Sequence, residues 1–172
     1  MPFLKRLFKR EDPERASAVK IAGAIMSAAR EPELYLRGFA ADDFDGRFQM
    51  VALHGGLVMR RLKAFGTPGL VVSEKLGEVL FDRFDYAYRE EGVGDASIAR
   101  KVRKLGERYF GLARALDGAL EGGDDLSEVL RRNGLGGSDV DGLAAHTRKI
   151  DDVLSSAGET ELYAGDLSWP TV

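Results

Sequence analysis

The sequence contains no cysteine, two histidines, one tryptophan and five prolines. Without cysteine there is no disulfide framework, no thiolate nucleophile and no Cys-bearing zinc site. The same absence fits a reducing compartment. His54 and His146 stand far apart, and neither has a second histidine one helical turn away, so no metal motif is present. No apolar run approaches the roughly 20 residues that a helix needs to cross a bilayer. The first residues carry charge with no apolar stretch behind them, and Glu11, Asp12 and Glu14 arrive early. Neither a secretory signal nor an organelle presequence is therefore expected. No Gly-Lys-Ser/Thr follows a glycine-rich turn, and no serine sits in a nucleophile elbow. Gly92-Val93-Gly94 falls between two helical patterns rather than after a strand, which is the wrong setting for a dinucleotide fingerprint. These absences predict a protein that is not an enzyme and that carries no cofactor or metal.

What is present is the composition of a globular chain: 172 residues, 44% hydrophobic and 31% charged. A chain of this length buries about 70% of its unfolded surface and needs no staple. The net charge of -3 is unevenly spread. Residues 1–10 hold Lys5, Arg6, Lys9 and Arg10 and no acid, whereas from Asp117 onward acids outnumber bases twelve to four. Free DNA is not the expected partner of such a chain, although local basic patches can meet phosphate.

Residues 1–11 form a basic amphipathic segment. Phe3, Leu4, Leu7 and Phe8 share one side and Lys5 and Arg6 stand among the cations of the other, a pattern suited to an anionic membrane surface. Asp12-Pro13-Glu14 reads as a helix start, with an apolar stripe of Val19, Ala22, Ile25, Met26 and Ala29. The stretch 33–41, with Leu34, Tyr35, Leu36 and Phe39, reads as either a short helix or an irregular packed loop. A long helix is predicted from Asp43 or Asp45 to about Phe65, its core face set by Phe48, Val51, Gly55, Val58 and Leu62. Gly55 and Gly56 each cost about 1 kcal/mol there relative to Ala, which predicts a close neighbour. His54, on a mostly apolar face, reads first as a hydrogen-bonded core histidine. Residues 66–72 are expected to be a loop, with Ser73 capping the next helix and Leu76, Leu80, Phe84 and Ala87 facing inward.

A turn at Gly92-Val93-Gly94 then leads into the cleanest stripe of the chain: Ile98, Val102, Leu105, Tyr109, Leu112, Leu116 and Leu120. Gly92 is predicted to be left-handed, Gly94 to relieve the backbone after Val93, and Asp95 to cap the new helix. Arg100, Lys101, Arg103 and Lys104 follow within its first turns, the unfavourable end of the helix dipole for cations. Asp125 opens a short further helix, and Ser138-Asp139-Val140-Asp141 reads as the cap of a last one reaching about Ala157. Asp42-Asp43-Phe44-Asp45 reads as capping at a helix start rather than as a cation site. No segment shows sustained strand alternation. The fold class predicted is all-α, a single globular array of about six or seven helices. The helical domain is assigned to residues 12–157 and an acidic tail to 158–172, where Trp169 either pins the tail or is exposed.

Two blocks of residues carry a family resemblance. One is Asp45-Gly46-Arg47-Phe48, running through Leu53-His54 to Arg60-Arg61-Leu62. The other is Leu80-Phe81-Asp82, then Arg89-Glu90-Glu91-Gly92-Val93-Gly94-Asp95, Lys101-Val102-Arg103-Lys104 and Tyr109-Phe110-Gly111. Over roughly residues 29–120 the chain resembles the ubiquinol–cytochrome c chaperone family, with Tyr88, Glu91 and Gly55-Gly56 departing from the family pattern. The resemblance implies an all-helical, non-enzymatic assembly factor for ubiquinol–cytochrome c reductase. Its implied client is newly made cytochrome b or another assembly subunit, with the ribosome and the membrane surface as further contacts. The implied location is the bacterial cytoplasm, at the cytoplasmic face of the inner membrane. A partly apolar groove between the His54 helix and the helix after Asp95 is expected to hold the client. Arg47, His54, Arg60, Arg61, Arg100, Lys101, Arg103 and Lys104 are its candidate partner-binding residues. The alternatives are a carrier of haem or quinone in a helical pocket, with His54 as the haem ligand, and a membrane-peripheral adaptor acting through residues 1–10.

Overall fold

The computed structural model describes residues 12–90, 92 and 94–172. The candidate membrane-binding residues Phe3, Leu4, Lys5, Arg6, Leu7 and Phe8 lie outside the described residues. Among those described there are eight helices and no strand: α1 (Pro13–Ala28), α2 (Pro32–Leu36), α3 (Phe44–Lys63), α4 (Thr67–Glu90), α5 (Asp95–Leu120), α6 (Leu126–Arg132), α7 (Val140–Ser156) and α8 (Glu159–Ala164). The all-α expectation holds, with one helix more than the sequence suggested.

Helix α3 is the axis of the array. Every residue from Met50 to Val58 is buried, so this part of the helix has no solvent face. A helix apolar on all sides has to be surrounded, and α1, α4, α5 and α7 all pack on it. The glycine pair sets the closest of these contacts. A Cβ on Gly55 would stand 2.3 Å from the Tyr109 hydroxyl, and one on Gly56 would stand 3.2 Å from the Ala113 Cα. The close neighbour that the two glycines predicted is α5.

The other helices begin where their caps dictate. Asp12 accepts from the Arg15 amide at 2.9 Å, Asp43 from Gly46 at 2.8 Å, Asp125 from Glu128 at 3.0 Å and Asp139 from Gly142 at 2.9 Å. Each satisfies one of the free amides of a first helical turn. On α1 the inward face is Ala18, Ile21, Ala22 and Ile25; Val19, expected on the stripe, is 44% exposed. Ala22, Ile25 and Ala29 of the expected stripe are buried, and Ala18 and Ile21 complete the face in place of Val19.

Two segments depart from expectation. Residues 67–72 are helical rather than a loop. Gly66, at φ 69°, closes α3, and Pro68 sits in the first turn of α4, where its missing N–H costs nothing. Gly69 is required there, because a Cβ would meet the Leu62 carbonyl oxygen at 1.9 Å. The second departure is the start of α5. Gly92 is left-handed at φ 76°, as expected, but the N-cap position falls to Gly94, whose φ is -66°. Asp95 is the first residue inside the helix and not its cap.

The C-terminal residues also acquire structure. Glu161 reaches back to the Gly158 amide at 3.0 Å and starts α8, whose Leu162 is buried in the core. Leu167, Trp169 and Val172 then pack against the core from an extended strap. Trp169 pins the strap, its ring 5.2 Å from that of His54.

Candidate functional site

Along α3 the glycine contacts bring α5 close, and the cavity between the end of α3, α5 and α7 is a small polar one of about 330 Å³ lined by Arg60, Arg61, Lys63, Asp117, Glu121 and Asp151. A groove of about 920 Å³ opens instead where the end of α1, α2, the first half of α3 and the second half of α4 meet. Buried Ala29, Phe48, Val51 and Phe84 form its floor, and the partly exposed Met26, Tyr35, Phe44 and Ala87 form its walls. Arg30, Leu36, Asp42 and Arg47 stand exposed at the rim, with Arg83 half-buried beside them. Leu36 is 79% exposed, the most open of the large apolar side chains among the described residues.

The Asp-Gly-Arg-Phe block builds this groove. A Cβ on Gly46 would fall 1.9 Å from the Ala41 carbonyl oxygen, so only glycine lets the preceding chain fold over the start of α3. Asp45 holds Arg108 through two contacts of 2.8 and 3.1 Å. The hydrogen bond from Arg108 keeps the Asp45 carboxyl below the usual range. The Arg108 guanidinium lies 5.0 Å above the Phe48 ring. Phe48 in turn meets the edge of Phe84 at 5.2 Å. On the other wall Arg47 pairs with Asp42 at 2.8 Å, and the Tyr35 hydroxyl donates to the Ala29 carbonyl at 2.5 Å. The acids of the Asp42–Asp45 cluster are thus engaged in one cap and two ion pairs.

The sequence-derived candidates divide among three places. Arg47 borders the groove. Arg60 turns inward and ties α3 to α5 and α7, pairing with Asp117, with Glu121 at 3.1 Å and with Asp151 at 3.3 Å. Arg61 donates to the Ala157 carbonyl at 2.6 Å and lies over the Phe65 ring. Arg100, Lys101, Arg103 and Lys104 are exposed on α5 and make no ion pair among the described residues. Lys101 reaches over the Tyr88 ring at 5.2 Å.

His54 is only 2% exposed and hydrogen-bonds through Nδ1 to the Met50 carbonyl at 2.8 Å. A carbonyl only accepts, so Nδ1 carries the proton and Nε2 the lone pair. Burial pulls its pKa down to about 4 against the opposing pull of that carbonyl, so the ring is neutral. The structure brings His146 to the same cavity of about 460 Å³, roofed by Trp169 to Val172. Burial, then Lys149 and Arg37, lower the His146 pKa as well. Its Nδ1 has no hydrogen-bond partner. The Trp169 ring packs edge-on against the His54 ring at 5.2 Å within this cavity.

Sequence reasoning missed Arg30, Leu36, Arg83 and Phe84 as groove residues. Phe84 was read only as core, and the two readings of 33–41 left Leu36 unplaced. Among the described residues, no helix is long and apolar enough to cross a membrane.

Comparison with known proteins places this architecture. The crystal structure of the Cbp3 homolog from Brucella abortus superimposes with a TM-score of 0.80 over 98% of this chain and 97% of that one, at 24% identity. That likeness establishes the fold. A search of curated proteins finds no match. The family model for ubiquinol-cytochrome C chaperones matches residues 40–169, which takes in the groove's α3 and α4 walls, both histidines and Trp169. The chain belongs to the ubiquinol-cytochrome C chaperone family.

Proposed function

We propose that the chain is a non-enzymatic assembly chaperone that holds newly made cytochrome b, or an assembly intermediate containing it, before the subunit joins ubiquinol–cytochrome c reductase. The observation that carries this reading is the open apolar groove, floored by Phe48, Val51 and Phe84 and edged by the exposed Leu36. A membrane subunit not yet in its complex exposes apolar surface, and a groove of this kind covers part of it. The magnitudes suit a temporary hold. Each large apolar side chain fully withdrawn from water contributes about 1.5–3 kcal/mol. Association itself costs about 4–15 kcal/mol. Only a few side chains of the groove remain open, so the complex they support is releasable. Arg100, Lys101, Arg103 and Lys104 supply a second, charged contact outside the groove. Ribosomal RNA, lipid phosphate at the cytoplasmic membrane face and acidic protein are its candidate partners.

Deletion of the gene tests the reading. The expected outcome is membranes depleted of cytochrome b and of assembled reductase. Normal assembly in the deletion strain would remove the proposal.

A further inference from the structure

The groove is apolar inside but its rim is not electrically neutral. Five charged side chains border it: Arg30, Arg47, Arg83, Asp42 and Asp43. Both acids are already engaged, Asp42 with Arg47 at 2.8 Å and Asp43 with the Gly46 amide at 2.8 Å. Arg30 and Arg83 make no ion pair among the described residues. Two guanidiniums thus stand at an apolar opening without an ion-pair partner among the described residues, on a rim of three guanidiniums and two carboxylates. A guanidinium there favours a planar carboxylate, which it can hold bidentately.

The volume limits the occupant's shape. An α-helix about 10 Å across with a 5.4 Å pitch fills roughly 850 Å³ in two turns. The groove offers about 920 Å³. The chain's own residues 1–10 are apolar enough to enter, but they carry four cations and no acid, which the same rim repels.

We propose that this groove takes an apolar helical segment of about two turns flanked by carboxylates, its acids meeting Arg30 and Arg83. This rests on the groove being the client site, and adds the chemistry of the segment it selects. Apolar side chains enter between Phe44, Phe84 and Met26, and the acidic end or face stays at the rim. Segments flanked by lysine or arginine are rejected by like charge.

The test is fluorescence anisotropy of the full chain with three labelled peptides. All share one helix of about 14 residues, near the length at which an isolated helix becomes stable, with a central apolar Leu/Ala/Phe stretch of about two turns. They differ in flanking residues: two glutamates, two glutamines or two lysines. Two partly exposed ion pairs in one case and two like-charge contacts in the other correspond to about a tenfold preference for glutamate over lysine at low salt. The preference should shrink in 0.5 M salt, on the order of the screening expected there. Arg30→Glu with Arg83→Glu should invert it while circular dichroism shows the helices intact. Should that pair disturb folding, the salt dependence of the unaltered chain reads the same charge term. Equal binding of the three peptides, or tighter binding of the lysine peptide, overturns this inference and leaves the groove reading standing. Binding of none of them overturns the groove reading itself, and the inference with it.

Discussion

His54 shows most clearly how one side chain takes its properties from its surroundings. In the unfolded chain an imidazole titrates near 6.5; in the fold burial holds this one at about 4. Above pH 6.5 the ring is neutral in both states and the shift has no effect on stability. As pH falls below 6.5 the unfolded chain takes up a proton that the folded chain refuses, so stability is lost. The loss ends near pH 4, once the folded ring also protonates, and over that window it amounts to about 3 kcal/mol. His146 shifts in the same direction and adds to it. Denaturant melts at pH 7 and pH 5 should therefore show a marked loss in the unaltered protein and a smaller one in His54→Leu. Parallel losses in the two proteins would show that His54 is not the group responsible. The sequence identified His54 as a core histidine from its apolar neighbours. The proximity of His146 and Trp169 was invisible to it, because no local pattern encodes a contact across a hundred residues.

Among the elements, what was legible was whatever is encoded within a turn or two. Asp12 and Asp125 cap helices as predicted, and Asp43 and Asp139 prove to be the caps within the short stretches the sequence offered. Of the α5 stripe, Ile98, Leu105, Tyr109, Leu112 and Leu116 are buried. The errors came where a local signal admits two readings. Thr67-Pro68-Gly69 has the composition of a loop and also of a first helical turn, and the packing of Gly69 on Leu62 decides for the turn. The corner before α5 is similar: either Gly94 or Asp95 can hold the cap, and the backbone gives it to Gly94. The two glycines of that corner should consequently differ. Gly92→Ala places a side chain at φ 76° and should cost about 1 kcal/mol. Gly94→Ala keeps an ordinary φ of -66° and meets nothing within 4 Å. The poorer N-cap that Ala makes is largely offset by the lower entropy of its unfolded chain, so the net loss should stay below about 0.5 kcal/mol. Thermal melts of the two variants measure the difference, and an equal loss in both would mean that the corner is built otherwise.

At the scale of the whole molecule, one side of α3 is devoted to stability and another to an open surface. Towards α5 and α7 it is closed by Gly55, Gly56 and the Arg60 ion-pair cluster. Towards α1, α2 and α4 it presents Phe48 and Val51 to the groove. The sequence placed a partly apolar groove with a basic rim between α3 and α5, whereas the groove of about 920 Å³ lies among α1, α2, α3 and α4. It set Arg60 and Arg61 on the expected rim and gave no sign of their acceptors, because Asp117, Asp151 and the Ala157 carbonyl come from α5, α7 and the residue ending α7. The groove itself arises from four segments spread over sixty residues, and only the folded chain brings them together.

The most direct measurement is made on that groove in the cell. Leu36→Glu with Ala87→Glu places two carboxylates at its rim and wall, at positions that the core does not need. With the variant gene replacing the native one, cytochrome b is read from the reduced-minus-oxidised absorbance of the membranes. The expected result is a fall to the level of the gene deletion, while the purified variant melts as the native protein does. Native amounts of cytochrome b in cells carrying that folded variant would contradict a client-binding groove.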